Sequence, residues 1–428
     1  MDYSSFAFES AKTALSFLWR YWWTYLPFVL GVTAIQLWQT YTRTRYIKSI
    51  NWVLLEVKPP PEVPQGPKIA ESIFAGLHGI YGVPVKWKKK FFEGKVPDWF
   101  SFEIVSNAGD MKFYIRCPEG LRNLVEAQIF GQYPNAEITV AEDYVGLLPG
   151  QLPDDEYDLF GAELIFTKDN AYPIKTYPFF EEAGGKDEYR YIDPLASLAE
   201  VMTGIGPGEH LWLQLLVRPT GGDWVKEAQK IVDKLVGKEP KAERDWMQKT
   251  FDAIDSLIPS GAAAEKKEEK KEEFNVQRLT PGQRFALEQV ENKMAKLGFK
   301  AGHRFLYIGK KDVFNRARVS AVTGMFKQLY FNNLNSFKPN GEVSTFSAGW
   351  LAWLFPSGDG LFKAQQEYRR KFDIYQSYRI RSFVDKYVIL NTEELATLFH
   401  LPGLNVRAPF LPRVEAKKGQ PPAGLPTG

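Results

Sequence analysis

The sequence predicts an α+β fold in which an N-terminal transmembrane helix precedes tandem ferredoxin-like domains. Residues 21–38 contain no charged side chain, which is typical of a membrane span. Beyond them, apolar residues recur with the periods of strands and helices in the order β-α-β-β-α-β, the split βαβ unit, and a diverged copy of this order follows. The predicted divisions are an N-terminal segment at 1–48, ferredoxin-like domains at 49–150 and 156–400, and a Pro/Gly-rich tail at 401–428.

The uncharged stretch has the length and the ends of a membrane span. As a helix it would extend ~27 Å, close to the ~30 Å hydrocarbon core of a bilayer. Aromatic residues lie at both ends, as at the two membrane interfaces, and bilayer helices tolerate internal proline and glycine. The predicted membrane-anchor residues are Tyr21, Trp22, Trp23, Pro27, Gly31 and Trp38. A buried helix of a soluble domain and a cleaved signal peptide are the alternatives; Asp2 and Glu9 disfavour the signal peptide, which should begin with basic residues.

Flanking charges predict the orientation of this span. Arg43, Arg45 and Lys48 follow it, whereas Lys12 and Arg20 precede it. Because basic residues stay on the cytoplasmic side, we expect a single-pass protein of the cell membrane whose C-terminal domains are cytoplasmic. The formal net charge of the chain is only +3, so any nucleic-acid site must be local.

The first ferredoxin-like domain has four predicted strands and two predicted helices. The strands are 52–57, 99–105, 111–116 and 136–140, and the helices are 68–80 and 119–132. Two helices would cover one face of a four-stranded antiparallel sheet.

The second domain repeats this order around a charged linker at residues 259–275. Residues 72–80 parallel residues 197–205, and each predicted helix ends at a glycine, as a C-cap requires. The strands that follow contain Glu103 or Gln214 among apolar residues. We interpret this as a diverged duplication; chance similarity between two amphipathic helices is the alternative.

The sequence contains none of the common catalytic motifs. There is no phosphate-binding G-x-x-x-x-G-K-[ST] loop, and the four histidines lack the spacing of metal ligands. The sequence therefore predicts a protein that is not an enzyme and that holds no cofactor and no metal.

Two patches combine basic and aromatic residues. Such patches bind anionic lipid headgroups or single-stranded nucleic acid, although a solvated hairpin or helix face is the plainer interpretation. The basic and aromatic residues are Lys86, Trp87, Lys88, Lys89 and Lys90 in the first patch, and Arg369, Arg370 and Lys371 in the second.

Four segments resemble the N-terminal half of TraG-like or HerA/FtsK-like membrane-anchored ATPases linked to type IV secretion and conjugation. They are 172–177, 193–198, 208–219 and 390–403, and the resemblance extends over about residues 20–428. In that family a nucleotide-binding motor follows the last segment. This chain stops at Gly428, so no ATPase residue can be carried over.

The resemblance implies a non-catalytic platform subunit that docks a separate motor ATPase at the cytoplasmic face of the membrane. A second copy of the chain, in a homo-oligomer, is a further candidate partner. The implied docking residues are Glu393, Leu395, Leu398, Phe399 and His400. The alternative is that the helix predicted over these residues only packs on its own sheet. The rival prediction is a membrane-tethered protein that binds nucleic acid through the two basic patches.

Overall fold

The computed structural model describes residues 12, 16, 20–60, 66–82, 85–183, 189–236, 279–346 and 360–402. Contacts divide the chain into two compact units: residues 1–52 with 82–98, and residues 53–81 with 99–428. The charged linker predicted at 259–275 and the tail beyond residue 402 lie outside the described residues. The mixture of helices and antiparallel sheet is α+β, as predicted.

The helices and strands are numbered here along the described chain. The helices are α1 (Trp22–Ser49), α2 (Gly66–Leu77), α3 (Trp87–Phe92), α4 (Arg122–Gln132), α5 (Ala196–Thr203), α6 (Asp223–Leu235), α7 (Pro281–Met294), α8 (Arg316–Gln328), α9 (Lys363–Arg379) and α10 (Thr392–Leu398). The strands are β1 (Trp52–Lys58), β2 (Phe100–Asn107), β3 (Asp110–Pro118), β4 (Glu137–Val140), β5 (Tyr157–Phe166), β6 (Glu181–Ala183), β7 (Tyr189–Tyr191), β8 (Glu209–Pro219), β9 (Gly298–Lys310), β10 (Phe337–Pro339) and β11 (Val388–Asn391).

The prediction of a transmembrane helix at residues 21–38 is wrong. Helix α1 covers this stretch and is 28 residues long, yet no helix among the described residues is both long and apolar enough to cross a bilayer. The cause is the composition of the stretch. Tyr, Trp, Thr and Gln lack charge, but each carries a polar group, so the absence of charge overstated the apolar character. The predicted single-pass cell-membrane localisation, with cytoplasmic C-terminal domains, is overturned by the same finding.

In the first unit, α3 packs against α1 through two close contacts. The Trp38 indole Nε1 donates a hydrogen bond to the Phe91 carbonyl at 3.2 Å. Gly94 has a positive φ of 67°, and a Cβ built there would lie 2.2 Å from the Thr42 backbone. Only glycine permits both this conformation and this approach.

Replacing Gly94 by alanine is therefore expected to destabilise the first unit. A non-glycine residue in this conformation costs about 1–3 kcal/mol, and the clash with Thr42 adds to that cost. Thermal unfolding followed by tryptophan fluorescence measures the loss. The control is Gly31→Ala within α1, where a Cβ would meet nothing within 4 Å and should be tolerated. Equal melting temperatures for the two variants would contradict the described packing.

The second unit is built on one large sheet. Among the described residues, nine strands form it in the order β10-β5-β9-β8-β2-β3-β1-β4, and β11 pairs separately with β9. The first half of the sheet contains β1, β2, β3 and β4, and the second half contains β5, β8, β9 and β10. From its outer edge inward, the first half has the order β4-β1-β3-β2 and the second half has the order β10-β5-β9-β8. Numbered along the chain within each half, both orders are 4-1-3-2. This repeated topology is compatible with the predicted tandem ferredoxin-like units.

The two halves join edge to edge through their second strands. Strand β2 pairs with β8 in antiparallel register, and Glu103 lies directly opposite Gln214. Both halves thus belong to one continuous sheet, and the edge that each would expose alone is covered by the other.

Alternate side chains of β8 point to opposite faces of the sheet, and each face has its own core. Leu213 lies in the larger core, to which α2, α4, α5, α8 and α10 contribute Phe74, Ile129, Leu198, Phe326 and Leu395. Trp212 lies in the smaller core on the other face, to which α9 contributes Ile374, Tyr375 and Tyr378.

Candidate functional site

Helix α10 carries three of the predicted docking residues and directly precedes the other two, Phe399 and His400, and it is buried in the second unit. The Asn391 side chain accepts a hydrogen bond from Glu394 N at 2.8 Å, and the Glu394 carboxylate accepts one from Asn391 N at 2.9 Å. This capping box starts the helix. Leu395, Leu398 and Phe399 then face the larger core, and the Phe399 ring lies 5.0 Å from that of Phe102 on β2. These three side chains are therefore not on the surface.

A fully buried ion pair holds the first turn of α10. Lys293 Nζ of α7 lies 3.1 Å from Glu394 Oε2, and neither side chain is exposed to solvent. Burial lowers the pKa of Lys293 and raises that of Glu394, because the interior disfavours both charges, and each charge partly compensates the other. Glu394 also accepts a hydrogen bond from Ile174 N at 3.0 Å, and this bond ties the loop that follows β5 to α10.

A second ion-pair cluster lies beside the first. Lys296 Nζ is 2.5 Å from Glu393 Oε2 and 2.7 Å from Glu71 Oε1. Burial opposes its charge, but the hydrogen bonds to Glu393 and Glu71 outweigh this and raise the pKa of Lys296. The Thr176 hydroxyl donates to Glu393. Because Glu71 belongs to α2, the cluster connects α10 to both halves of the sheet.

The end of α10 is held by a buried histidine. His400 Nε2 lies 2.9 Å from Asp193 Oδ1, and both side chains are buried. One turn earlier, the Thr397 hydroxyl accepts a hydrogen bond from Tyr177 N at 3.0 Å.

We call this set of contacts around α10 the α10 anchor. It consists of the pairs Lys293–Glu394, Lys296–Glu393 and Asp193–His400, with the hydrogen bonds to Ile174, Thr176 and Tyr177. Three of the segments singled out in the sequence, 172–177, 193–198 and 390–403, supply most of these residues. Their residue identities therefore maintain one structural junction.

A buried polar row, which sequence reasoning missed, crosses the other face of the sheet. Glu163, Arg304, Gln214 and Glu103 lie directly opposite one another on β5, β9, β8 and β2. Arg304 Nη2 donates to Glu163 Oε1 at 2.8 Å, and its Nη1 donates to Gln214 Oε1 at 3.3 Å. Gln214 Nε2 then donates to Glu103 Oε1 at 3.1 Å. The sequence feature that could have indicated this row was the presence of two polar residues, Glu103 and Gln214, within otherwise apolar strands.

Arg381 completes this row from the end of α9. Its Nε and Nη2 donate to the two carboxylate oxygens of Glu103 at 3.0 and 3.2 Å, and Nη1 and Nη2 donate to Asp143 at 2.5 and 2.8 Å. Burial alone would raise the pKa of Glu103, but Arg381 reverses this and holds it below its usual value. The backbone of Arg381 has a positive φ of 51°. The ion pair therefore fixes an unfavourable turn.

The two predicted basic patches differ in what their charges contact. In the first unit, all five residues of the first patch are exposed: Lys86, Trp87, Lys88, Lys89 and Lys90. In the second unit, Lys371 Nζ lies 2.6 Å from Asp158, and Arg370 donates to the carbonyls of Gly341, Ser344 and Phe346. Arg369 lies 3.7 Å from Asp373. The side chains of the second patch are thus engaged within the second unit.

The predicted membrane-anchor residues lie on α1, or beside its start in the case of Tyr21. Tyr21, Trp22, Trp23, Gly31 and Trp38 are exposed, and Pro27 lies within the helix. Other apolar side chains of α1 are exposed as well, among them Phe28, of which 74% is exposed. Clusters of exposed apolar side chains are typical of interaction surfaces.

Two comparisons with known proteins complete this description. No curated protein matches the chain. A family described as a domain of unknown function, DUF8128, matches residues 33–410, which is most of the chain. This protein therefore belongs to the DUF8128 family.

Proposed function

We propose that this protein is a non-catalytic platform subunit on which a separate motor ATPase docks, as in type IV secretion and conjugation systems. The observation that carries the proposal is the α10 anchor. In the proteins that the sequence resembles, the motor follows the segment that corresponds to residues 390–403. In this chain the same segment is held by two ion pairs and by the hydrogen-bonded pair His400–Asp193.

The anchor suits a platform because it joins both halves of the sheet. Glu71 of α2 belongs to the first half, and Lys296 lies between α7 and β9 in the second. A force applied just after His400 would therefore act on both halves together. Within the anchor, the Lys293–Glu394 pair is fully buried, and separating it would leave an uncompensated charge inside the protein, so this contact resists displacement.

The buried charges support a structural role over a catalytic one. Lys293, Glu394, Glu103 and Arg381 have shifted pKa values, which can mark an active site. However, each of them is bonded to a partner of opposite charge within the core. We expect the purified protein neither to bind nor to hydrolyse ATP. Micromolar affinity for ATP in isothermal titration calorimetry would contradict this expectation.

Truncation tests the docking site. Deleting residues 405–428 leaves every contact of the α10 anchor in place, so the melting temperature should stay within a few degrees. The deletion should nevertheless abolish co-purification of a motor ATPase encoded beside this protein. The control is Lys226→Ala on α6, which removes a side chain that is 81% exposed and should leave co-purification unchanged. If the truncated chain retains the ATPase, this docking site is wrong.

A further inference from the structure

Positive charge is concentrated in the first unit. Residues 20–52 and 85–98 carry nine basic and two acidic side chains, whereas the whole chain has a formal net charge of only +3. The remaining residues of the chain are therefore acidic on balance. Such an asymmetry indicates an anionic partner for the basic part.

Aromatic rings lie among these charges on α3. Trp87 stacks on Phe91 with ring centroids 5.4 Å apart and planes 15° from parallel. Phe92 packs edge-on against both rings. Trp87 is 66% exposed and Phe92 is 59% exposed, although large aromatic side chains are usually buried.

The packing of α3 on α1 brings more basic residues into the same region. The hydrogen bond from Trp38 to Phe91 and the close approach of Gly94 to Thr42 hold the two helices together. The next residue of α1 is Arg43, whose amide nitrogen would lie only 2.6 Å from a Cβ at Gly94. Arg43, the first of three basic residues near the C-terminal end of α1, therefore lies close to the segment that follows α3.

We propose that this region binds single-stranded nucleic acid. We call it the basic–aromatic surface and define it by Arg43, Lys86, Trp87, Lys88, Lys89, Lys90 and Phe92. Lysine and arginine side chains pair with the phosphates of the backbone. The exposed face of Trp87 stacks on a base, which is accessible in a single strand because it is not already stacked in a duplex. An anionic lipid headgroup would use the same charges but offers no base to stack.

The test uses the full chain and a fluorescently labelled oligothymidylate, with binding measured by fluorescence anisotropy. Affinity should fall steeply as salt rises, because each phosphate contact releases counterions. Lys88→Glu with Lys89→Glu should weaken binding by more than tenfold. Trp87→Ala should weaken binding by about tenfold and leave the salt dependence nearly unchanged, because stacking releases no counterions.

The matched control is Lys226→Glu with Lys230→Glu, which makes the same charge change at two exposed positions of α6. It should bind the oligonucleotide as tightly as the unaltered chain. Equal loss in the control, or an undiminished affinity of Trp87→Ala, would overturn the proposal. Vesicles containing phosphatidylglycerol supply the remaining comparison. Binding to these vesicles without binding to oligothymidylate would assign the surface to lipid and also overturn it.

Discussion

Replacing Glu103 by alanine should destabilise the second unit by about 3–5 kcal/mol, because it removes one partner of a buried ion pair. The variant would leave Arg381 charged in the core without its main counter-charge, and Asp143, which is partly exposed, would compensate only in part. It would also remove the acceptor for the hydroxyls of Ser101 and Tyr144. Chemical unfolding followed by circular dichroism measures the change.

An exposed ion pair provides the control for this variant. Lys226 and Asp223 lie 3.1 Å apart on α6, and both side chains are largely exposed. Asp223→Ala should therefore leave the unfolding midpoint nearly unchanged. If the two variants were equally stable, Glu103 would not form the described pair.

The contribution of Glu103 should also depend on pH. Arg381 holds the pKa of Glu103 in the folded protein below its usual value of 4.5, so folding favours the ionised carboxylate. This stabilisation is present above pH 4.5 and is lost as pH falls through the lower, folded-state pKa. We expect the difference in unfolding free energy between the unaltered chain and Glu103→Gln to shrink over that acidic range. A difference that grew on acidification would contradict the assigned pair.

Replacing Lys293 by methionine should have an effect of similar size on the α10 anchor. Methionine fills the space of the lysine stem, but Glu394 loses its counter-charge while remaining fully buried. A double-mutant cycle should then measure the interaction energy between Lys293 and Glu394. Lys293→Met and Glu394→Gln should each destabilise the protein, whereas the double variant should lose less than the sum, with a coupling of about 0.5–3 kcal/mol.

Strict additivity in that cycle would contradict direct contact between Lys293 and Glu394. Glutamine at position 394 keeps one of the two acceptor oxygens that receive the amides of Asn391 and Ile174, and the loss of the other is shared by the Glu394→Gln variant and the double variant, so it cancels in the cycle. The measured coupling therefore reports the loss of the ion pair more than the loss of the helix cap.

The unpredicted parts of the candidate site depend on contacts between distant residues. Arg381, for example, reaches Glu103, 278 positions earlier in the chain. No periodicity within a short window can reveal such a pair. His400 likewise contacts Asp193, 207 positions earlier in the chain.

The error at α1 had a different cause. The stretch at residues 21–38 was judged by its lack of charge, whereas crossing a bilayer requires sufficient apolar content along the whole helix. Its tyrosine, tryptophan, threonine and glutamine residues reduce that content although they are uncharged.

The sequence by itself determined the α+β class and the repeated β-α-β-β-α-β order, because apolar periodicity and turn residues are local properties of the chain. The sequence also showed the polar residues Glu103 and Gln214 at corresponding positions of the two predicted copies. Only the tertiary structure decided that β2 and β8 pair and place these two residues opposite each other. It likewise decided that three-residue β10, and not β11, is the fourth strand of the second half. The physical reason is that the pairing of sheet edges and of buried charges depends on contacts between residues that are far apart in the sequence. A local sequence pattern contains no information about such contacts.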